Sequence, residues 1–129
     1  MSYILTIEEG ASFLHIRVSG ENSPETVQLY LGEVYTICSQ RGFSSVLIEE
    51  NLSGPSLSPA DIYKIISKAS SQTSPILNRI AYVDTNTEHL PSIGALGEAV
   101  ARDRGANVKV FHEIGEAVNW LMAEKDQFR

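Results

Sequence analysis

Short apolar runs alternate with single helical stripes along this chain, and that alternation constrains the fold more than any other feature. Leu14, Ile16 and Val18 alternate with His15, Arg17 and Ser19, the period of a half-buried strand. Tyr3 to Glu8 reads as its hairpin partner, with Glu9-Gly10-Ala11 as the turn. His15 falls on the polar face and is expected to be solvated. Val46, Leu47 and Ile48 run without alternation, as expected of a central strand covered on both faces. Ile80 to Val83 and the group Val108, Val110 and Phe111 supply two more short strands.

The intervening segments carry helical signals. Ser23 is placed as an N-cap, with Pro24 at the first helical position and Glu25 near the positive end of the dipole. Val27, Leu31, Val34 and Cys38 then form one stripe, with Tyr30 and Tyr35 beside it, until Arg41-Gly42-Phe43 ends the helix. Ile62, Ile65, Ile66 and Ala69 mark a second helix. Ala95, Leu96, Ala99 and Val100 mark a third, ending at Arg104-Gly105. Ala117, Val118, Trp120 and Leu121 mark the last, with a polar tail beyond it. Ser70 to Asn78 and Asp84 to Ser92 read as polar loops. The order β-β-α-β-α-β-α-β-α implies an α/β fold with a mostly parallel sheet, helices on its faces and an antiparallel N-terminal hairpin strand. At 129 residues one domain over 1–129 is expected.

Charge and cysteine content remove several function classes. Sixteen acidic against ten basic side chains give a formal charge of −6, and the basic residues form no cluster. Such a chain repels a phosphate backbone, so no nucleic acid is expected as a partner. Cys38 is the lone cysteine; it excludes an intrachain disulfide, points to a reducing, cytoplasmic setting, and reads as a packing thiol on its helix stripe. The start, MSYILTIEEG, has no secretory pattern, and no apolar run reaches the roughly 18 residues of a membrane span.

In open α/β sheets ligands gather beyond the carboxyl ends of the strands. Three segments are expected there: Glu49 to Ser58, Asp84 to Ser92, and His112 with Glu113. They place Glu49, Glu50, Asn51, Asp84, Asn86, Glu88, His89 and His112 on one rim. None of these stands at a recognised metal-ligand spacing, and neither a G-x-S-x-G elbow nor a nucleotide-binding glycine motif occurs. No catalytic residue, cofactor or metal is therefore assigned.

The stretch NLSGPSLSPADIY, residues 51 to 63, is the most distinctive part of that rim. Ser58-Pro59-Ala60-Asp61 is a serine N-cap, a helix-starting proline and an acidic third position, which accounts for Ser58 without any function. The residues before it carry a glycine but no Lys or Arg, and each proline removes an amide donor, so no phosphate cradle is expected. Leu52 and Leu57 are apolar residues in a loop otherwise suited to water. They either tuck the loop onto the sheet or, with Leu90 and Ile93, line a pocket.

The whole organisation resembles the STAS domain family, and within it the stand-alone SpoIIAA-like bacterial proteins. The resemblance rests on the element order, on the serine- and glycine-bearing loop before the second helix, and on Val110-Phe111 followed by Glu116-Ala117-Val118-Asn119-Trp120-Leu121. It implies a non-enzymatic regulatory or protein-interaction module acting through residues 51 to 63. In antagonists of that family a serine of an Asp-Ser-Ser-Gly motif is phosphorylated. Here Ser58-Pro59-Ala60-Asp61 takes the motif's place and Ala60 the acceptor's, which implies a domain without that switch unless Ser56 or Ser58 substitutes. The expected binding residues are Asn51, Leu52, Ser53, Ser56, Leu57, Ser58, Asp84 and His89. A protein partner is expected; a small apolar or lipid ligand in the same region is the alternative, an enzyme using the acidic and histidine rim is a third, and a homodimer stays open.

Overall fold

A computed structural model describes residues 3–73 and 76–123. Its elements are β1 (Tyr3–Glu9), β2 (Leu14–Glu21), α1 (Pro24–Arg41), β3 (Ser45–Ser53), α2 (Pro59–Thr73), β4 (Arg79–Asp84), α3 (Pro91–Asp103), β5 (Val108–Phe111) and α4 (Ile114–Ala123). This is the expected β-β-α-β-α-β-α-β-α order. The strands lie side by side in chain order, β1 antiparallel to β2 and every later pair parallel. The loop expected at Ser70 to Asn78 begins as the last turn of α2. Residues 74 and 75 and the expected tail past 123 lie outside the described residues.

The first helix follows its sequence signals closely. Ser23 Oγ accepts the Thr26 amide at 3.1 Å. Gly42 takes a left-handed φ of 73° at the other end, which turns the Phe43 amide back onto the Cys38 carbonyl at 3.0 Å. Tyr30, Val34 and Cys38 are all buried. Burial pushes the Cys38 thiol up to about 11, so it stays protonated and packs as a small apolar group.

Sheet order decides where the helices go. Right-handed crossovers between strands that advance steadily across a sheet place every crossover helix on the same face. Accordingly α1 and α2 pack over Leu14, Ile16, Val18, Val46 and Ile48, while α4 alone covers Leu47, Ala81 and Val83 from the other side through Ala117 and Leu121. Both faces of β3 are thus covered, as its unbroken apolar run predicted. Phe111 and Trp120 stack in the second layer at 5.7 Å between ring centroids, with the Arg79 guanidinium 5.4 Å from the Trp120 ring.

The three helices on this face sit unevenly over the sheet. α1 lies over β1 and β2 and α3 over β5, while α2 packs mainly against α1 and α3, above the middle strands. That raised position leaves room beneath α2.

One sequence expectation is corrected here. His15 is not solvated: its side chain is 14% exposed, with Nε2 2.8 Å from Glu49 Oε1 and Nδ1 4.0 Å from Glu8. In α3, Ala95 and Ala99 face solvent, and Val100 and Ala101 are buried. The face turned toward α2 contains Gly97, where a Cβ would stand 3.8 Å from both Ile62 and Ile66. A glycine lets the helices approach but carries no hydrophobic signal, so this contact with α2 did not show in the apolar pattern.

Candidate site beneath the second helix

The side chains of β3 alternate across the sheet, so Val46, Ile48, Glu50 and Leu52 share the face under the three helices. Glu50 is therefore carried into the interior, where it is 4% exposed. Two tyrosines meet it there. Tyr82 of β4 donates its hydroxyl to Glu50 Oε1 at 2.5 Å, and Tyr30 of α1 donates to Oε2. Burial pushes the Glu50 carboxyl up to about 7, although the two tyrosine hydrogen bonds offset part of the effect. Burial, together with the negative charge of Glu50, drives both tyrosine hydroxyls well above their usual range, so they act as fixed donors.

Parallel register sets Asp84 at the end of β4 directly beside Glu50. Asp84 Oδ1 accepts the Asn86 amide at 3.0 Å, and Oδ2 lies 2.6 Å from His89 Nδ1. His89 Nε2 lies 2.8 Å from the Gly54 carbonyl. Both ring nitrogens face oxygen acceptors, and Nε2 also lies 3.3 Å from Asn86 Nδ2 and 3.4 Å from Asn22 Nδ2. Burial opposes the charge on His89, but the hydrogen bond and charge of Asp84, with the Gly54 carbonyl, raise its pKa overall.

The same contacts knit the loops over the strand ends. Asn86 Nδ2 donates to the Leu52 carbonyl at 2.7 Å, Asn22 Nδ2 to the Pro55 carbonyl at 2.8 Å, and the Leu90 amide to Ser56 Oγ at 2.8 Å. Gly54 sits at φ 99°, a left-handed conformation that a side chain would strain.

Between α2 and the sheet lies a cavity of about 140 Å³. Val27, Leu31, Val34, Ile62, Ile66 and Ile93 are among the side chains that form its apolar wall. Its polar end is made by Tyr30, Glu50, Tyr82, Asp84, His89 and Asn22.

The expected binding residues separate by strand parity and by loop. Asp84 and His89 meet at the polar end, Ser56 ties the rim, and Leu57 is half-buried at the cavity wall. Ser58 caps α2, accepting the Asp61 amide at 3.1 Å. Leu52 is not a loop residue; β3 runs on to Ser53, and Leu52 is fully buried in the core. Asn51 and Ser53 are exposed, with Ser53 Oγ donating to the Gly20 carbonyl at 3.1 Å. Of the wider rim, Glu49 pairs with His15 on the α4 face, while Glu88 and His112 are exposed away from the cavity lining. Sequence reasoning missed Asn22, Tyr30 and Tyr82 as members of this group. For Tyr82 the signal was available, since it stands two residues before Asp84 on one strand face.

Glu50, Asp84 and His89 bring one ligand atom each to within 4.8 Å of one another, a spacing a metal ion could in principle span. His89 Nδ1 is engaged with Asp84 and Nε2 with the Gly54 carbonyl, so a metal would have to displace one of these contacts.

No family model and no curated protein matches the sequence. Among solved structures, the chain is similar to an uncharacterised protein of the DUF3478 family with a SpoIIAA-like fold from Shewanella loihica PV-4. Identity is 15%, the TM-score is 0.54, and the match covers 92% of this chain and 93% of that one. Together with the element order and sheet topology, this establishes the fold as STAS/SpoIIAA-like.

Proposed function

We propose that this chain is a non-enzymatic STAS-like binding domain, one unit over residues 1–129, that holds a small apolar ligand beneath α2. The cavity of about 140 Å³ with an apolar wall and a single polar end carries this reading. The loop at 51 to 63 supplies its rim through Ser56 and Leu57. Regulation would follow from occupancy, since the same loops that cover the polar end form the outer surface. Cys38, buried and protonated, suits a reducing cytoplasm. Among the described residues, no helix is long and apolar enough to cross a membrane.

A cavity of this size is comparable to engineered ones of about 150 Å³ that take up benzene. Toluene is therefore expected to raise the melting temperature, because a ligand bound only to the folded state stabilises it, by about 2.7 kcal/mol at a hundred times its Kd. Ile66→Phe, which places a ring where the ligand would sit, should abolish the shift. An undiminished shift in the variant would reject the reading, as would no binding of toluene and of its relatives benzyl alcohol, benzylamine and benzoate.

A protein partner is the second reading, supported by Leu90, which is 59% exposed on the same rim. Native mass spectrometry and pull-down should then show a complex, homodimeric or with another protein, that Leu90→Asp weakens. Complexes indifferent to Leu90, or none, would remove it.

A further inference from the structure

Acceptors outnumber donors at the polar end of the cavity. Tyr30 and Tyr82 direct their hydroxyl hydrogens at Glu50, and the His89 nitrogens are engaged with Asp84 and the Gly54 carbonyl. Asn22 donates to Pro55, and at the rim the Ser56 oxygen accepts the Leu90 amide. Glu50 and Asp84 each keep lone pairs after these bonds, as do both tyrosine oxygens. A third lining carboxylate, Glu98, accepts the Val110 amide at 2.7 Å and lies 3.8 Å from Arg102. His89 is the one basic side chain on the lining and is already paired with Asp84. With Glu50 ionised, the group Glu50, Asp84 and His89⁺ carries one uncompensated negative charge.

Resting on the reading of the cavity as a ligand site, we infer that its ligand is a small apolar amine, with its ammonium on Glu50 between Tyr30 and Tyr82 and its hydrocarbon body beneath α2. Each feature of the site has a counterpart in such a molecule. The ammonium donates to these acceptors and neutralises the surplus charge. The apolar wall takes a body of roughly six to eight carbons, by analogy with benzene in a cavity of similar size. A carboxylate or phosphate head would instead meet Glu50 and Asp84 with like charge, so this end of the cavity disfavours fatty acids and phosphorylated ligands. Amine binding and proton binding compete at Glu50, because the ammonium pairs with the ionised carboxylate. Affinity is thus expected to rise with pH through about 7, where Glu50 gives up its proton.

The test compares four probes with one ring and different heads: benzylamine, benzyl alcohol, toluene and benzoate. Titration calorimetry at pH 8 should show benzylamine binding at least about tenfold more tightly than toluene, with benzyl alcohol between them and benzoate not binding. Glu50→Gln should bring benzylamine down to the toluene level while leaving toluene unchanged. A measurement on the native protein alone supplements the variant. Near pH 7, benzylamine binding should release protons into the buffer, seen as a buffer-dependent heat, and toluene binding should release none.

Equal binding of toluene and benzylamine, an unaltered amine preference in Glu50→Gln, or tight benzoate binding would overturn the amine assignment and leave the cavity reading standing. Failure of toluene and all three relatives to bind would overturn both.

Discussion

Above pH 7, Glu50→Gln is expected to make the protein more stable, by about 3 kcal/mol relative to its effect below pH 4.5. The carboxyl of Glu50 sits at about 7 in the folded protein against an ordinary value of 4.5. Between those values the unfolded chain has lost this proton and the folded chain still holds it. Stability from Glu50 is therefore greatest at low pH, falls as pH rises from 4.5, and levels off once the folded group has ionised. A displacement of about 2.5 pH units corresponds to roughly 3 kcal/mol. His89 acts in the same direction over a higher range. Its pKa is raised above 6.5 in the fold, so the stability it contributes is present below 6.5 and lost as pH rises through the folded value. Urea melts of native protein and Glu50→Gln from pH 4 to 9 separate the two. The difference curve belongs to Glu50, and the slope remaining in the variant above pH 6.5 belongs to His89. A flat difference curve would mean that Glu50 is solvated in the folded state.

Leu52→Ala is expected to cost about 2–5 kcal/mol, the range for truncating a fully buried leucine. Leu52 has no exposed surface and lies in the core layer with Val18 and Ile48. Leu57→Ala should cost less, roughly 1–2 kcal/mol, because that side chain is half-exposed at the cavity wall. Ligand affinity should show the reverse order, with Leu57→Ala the more damaging per unit of stability lost. The pair tests the assignment of these residues directly. Two leucines serving the same contact loop would lose binding together and stability hardly at all. A domain of this size has a total stability of about 5–15 kcal/mol, so Leu52→Ala is best measured by the urea midpoint at low temperature.

Most of the site's chemistry depends on one buried carboxylate, and its burial follows from a chain of simple causes. Strands in sequential order put three crossover helices on one face. The middle one, α2, packs mainly against α1 and α3 and stands off the sheet. The space so created lies over β3 and β4, where strand alternation delivers Glu50, Tyr82 and Asp84. A carboxylate placed there without donors would be strongly disfavoured. Tyr30 and Tyr82 satisfy it at a fixed geometry, and His89 holds the loop that closes over it. The site thus combines a rigid polar end with an apolar space that is not filled by the protein's own side chains.

Element type and order were legible in the sequence, because hydrophobic period, helix caps and left-handed glycines are local signals. Ser23, Pro24 and Gly42 mark α1 to the residue, and the unbroken run Val46-Leu47-Ile48 identified a strand covered on both faces. That Asp84 and His89 lie at the strand ends was legible too, since it follows from α/β topology, and the structure brings them together there.

What tertiary structure decided is how far each strand runs and what faces what. Reading β3 as ending before Leu52 made a core residue look like a contact residue, since the apolar signal stops while the hydrogen-bonded ladder continues to Ser53. Glu50 looked like one of several rim carboxylates; only parity within the longer strand, with Tyr30 arriving from α1 and Tyr82 from β4, turns it into a buried acid. The small residues of α3 gave no hydrophobic signal, so its packing face emerged only from contact with α2. Leu57, Leu90 and Ile93 were open as pocket-lining residues, and all three line the cavity. The space itself lies between α2 and the sheet and depends on how the assembled layers pack, which no local stretch of sequence encodes.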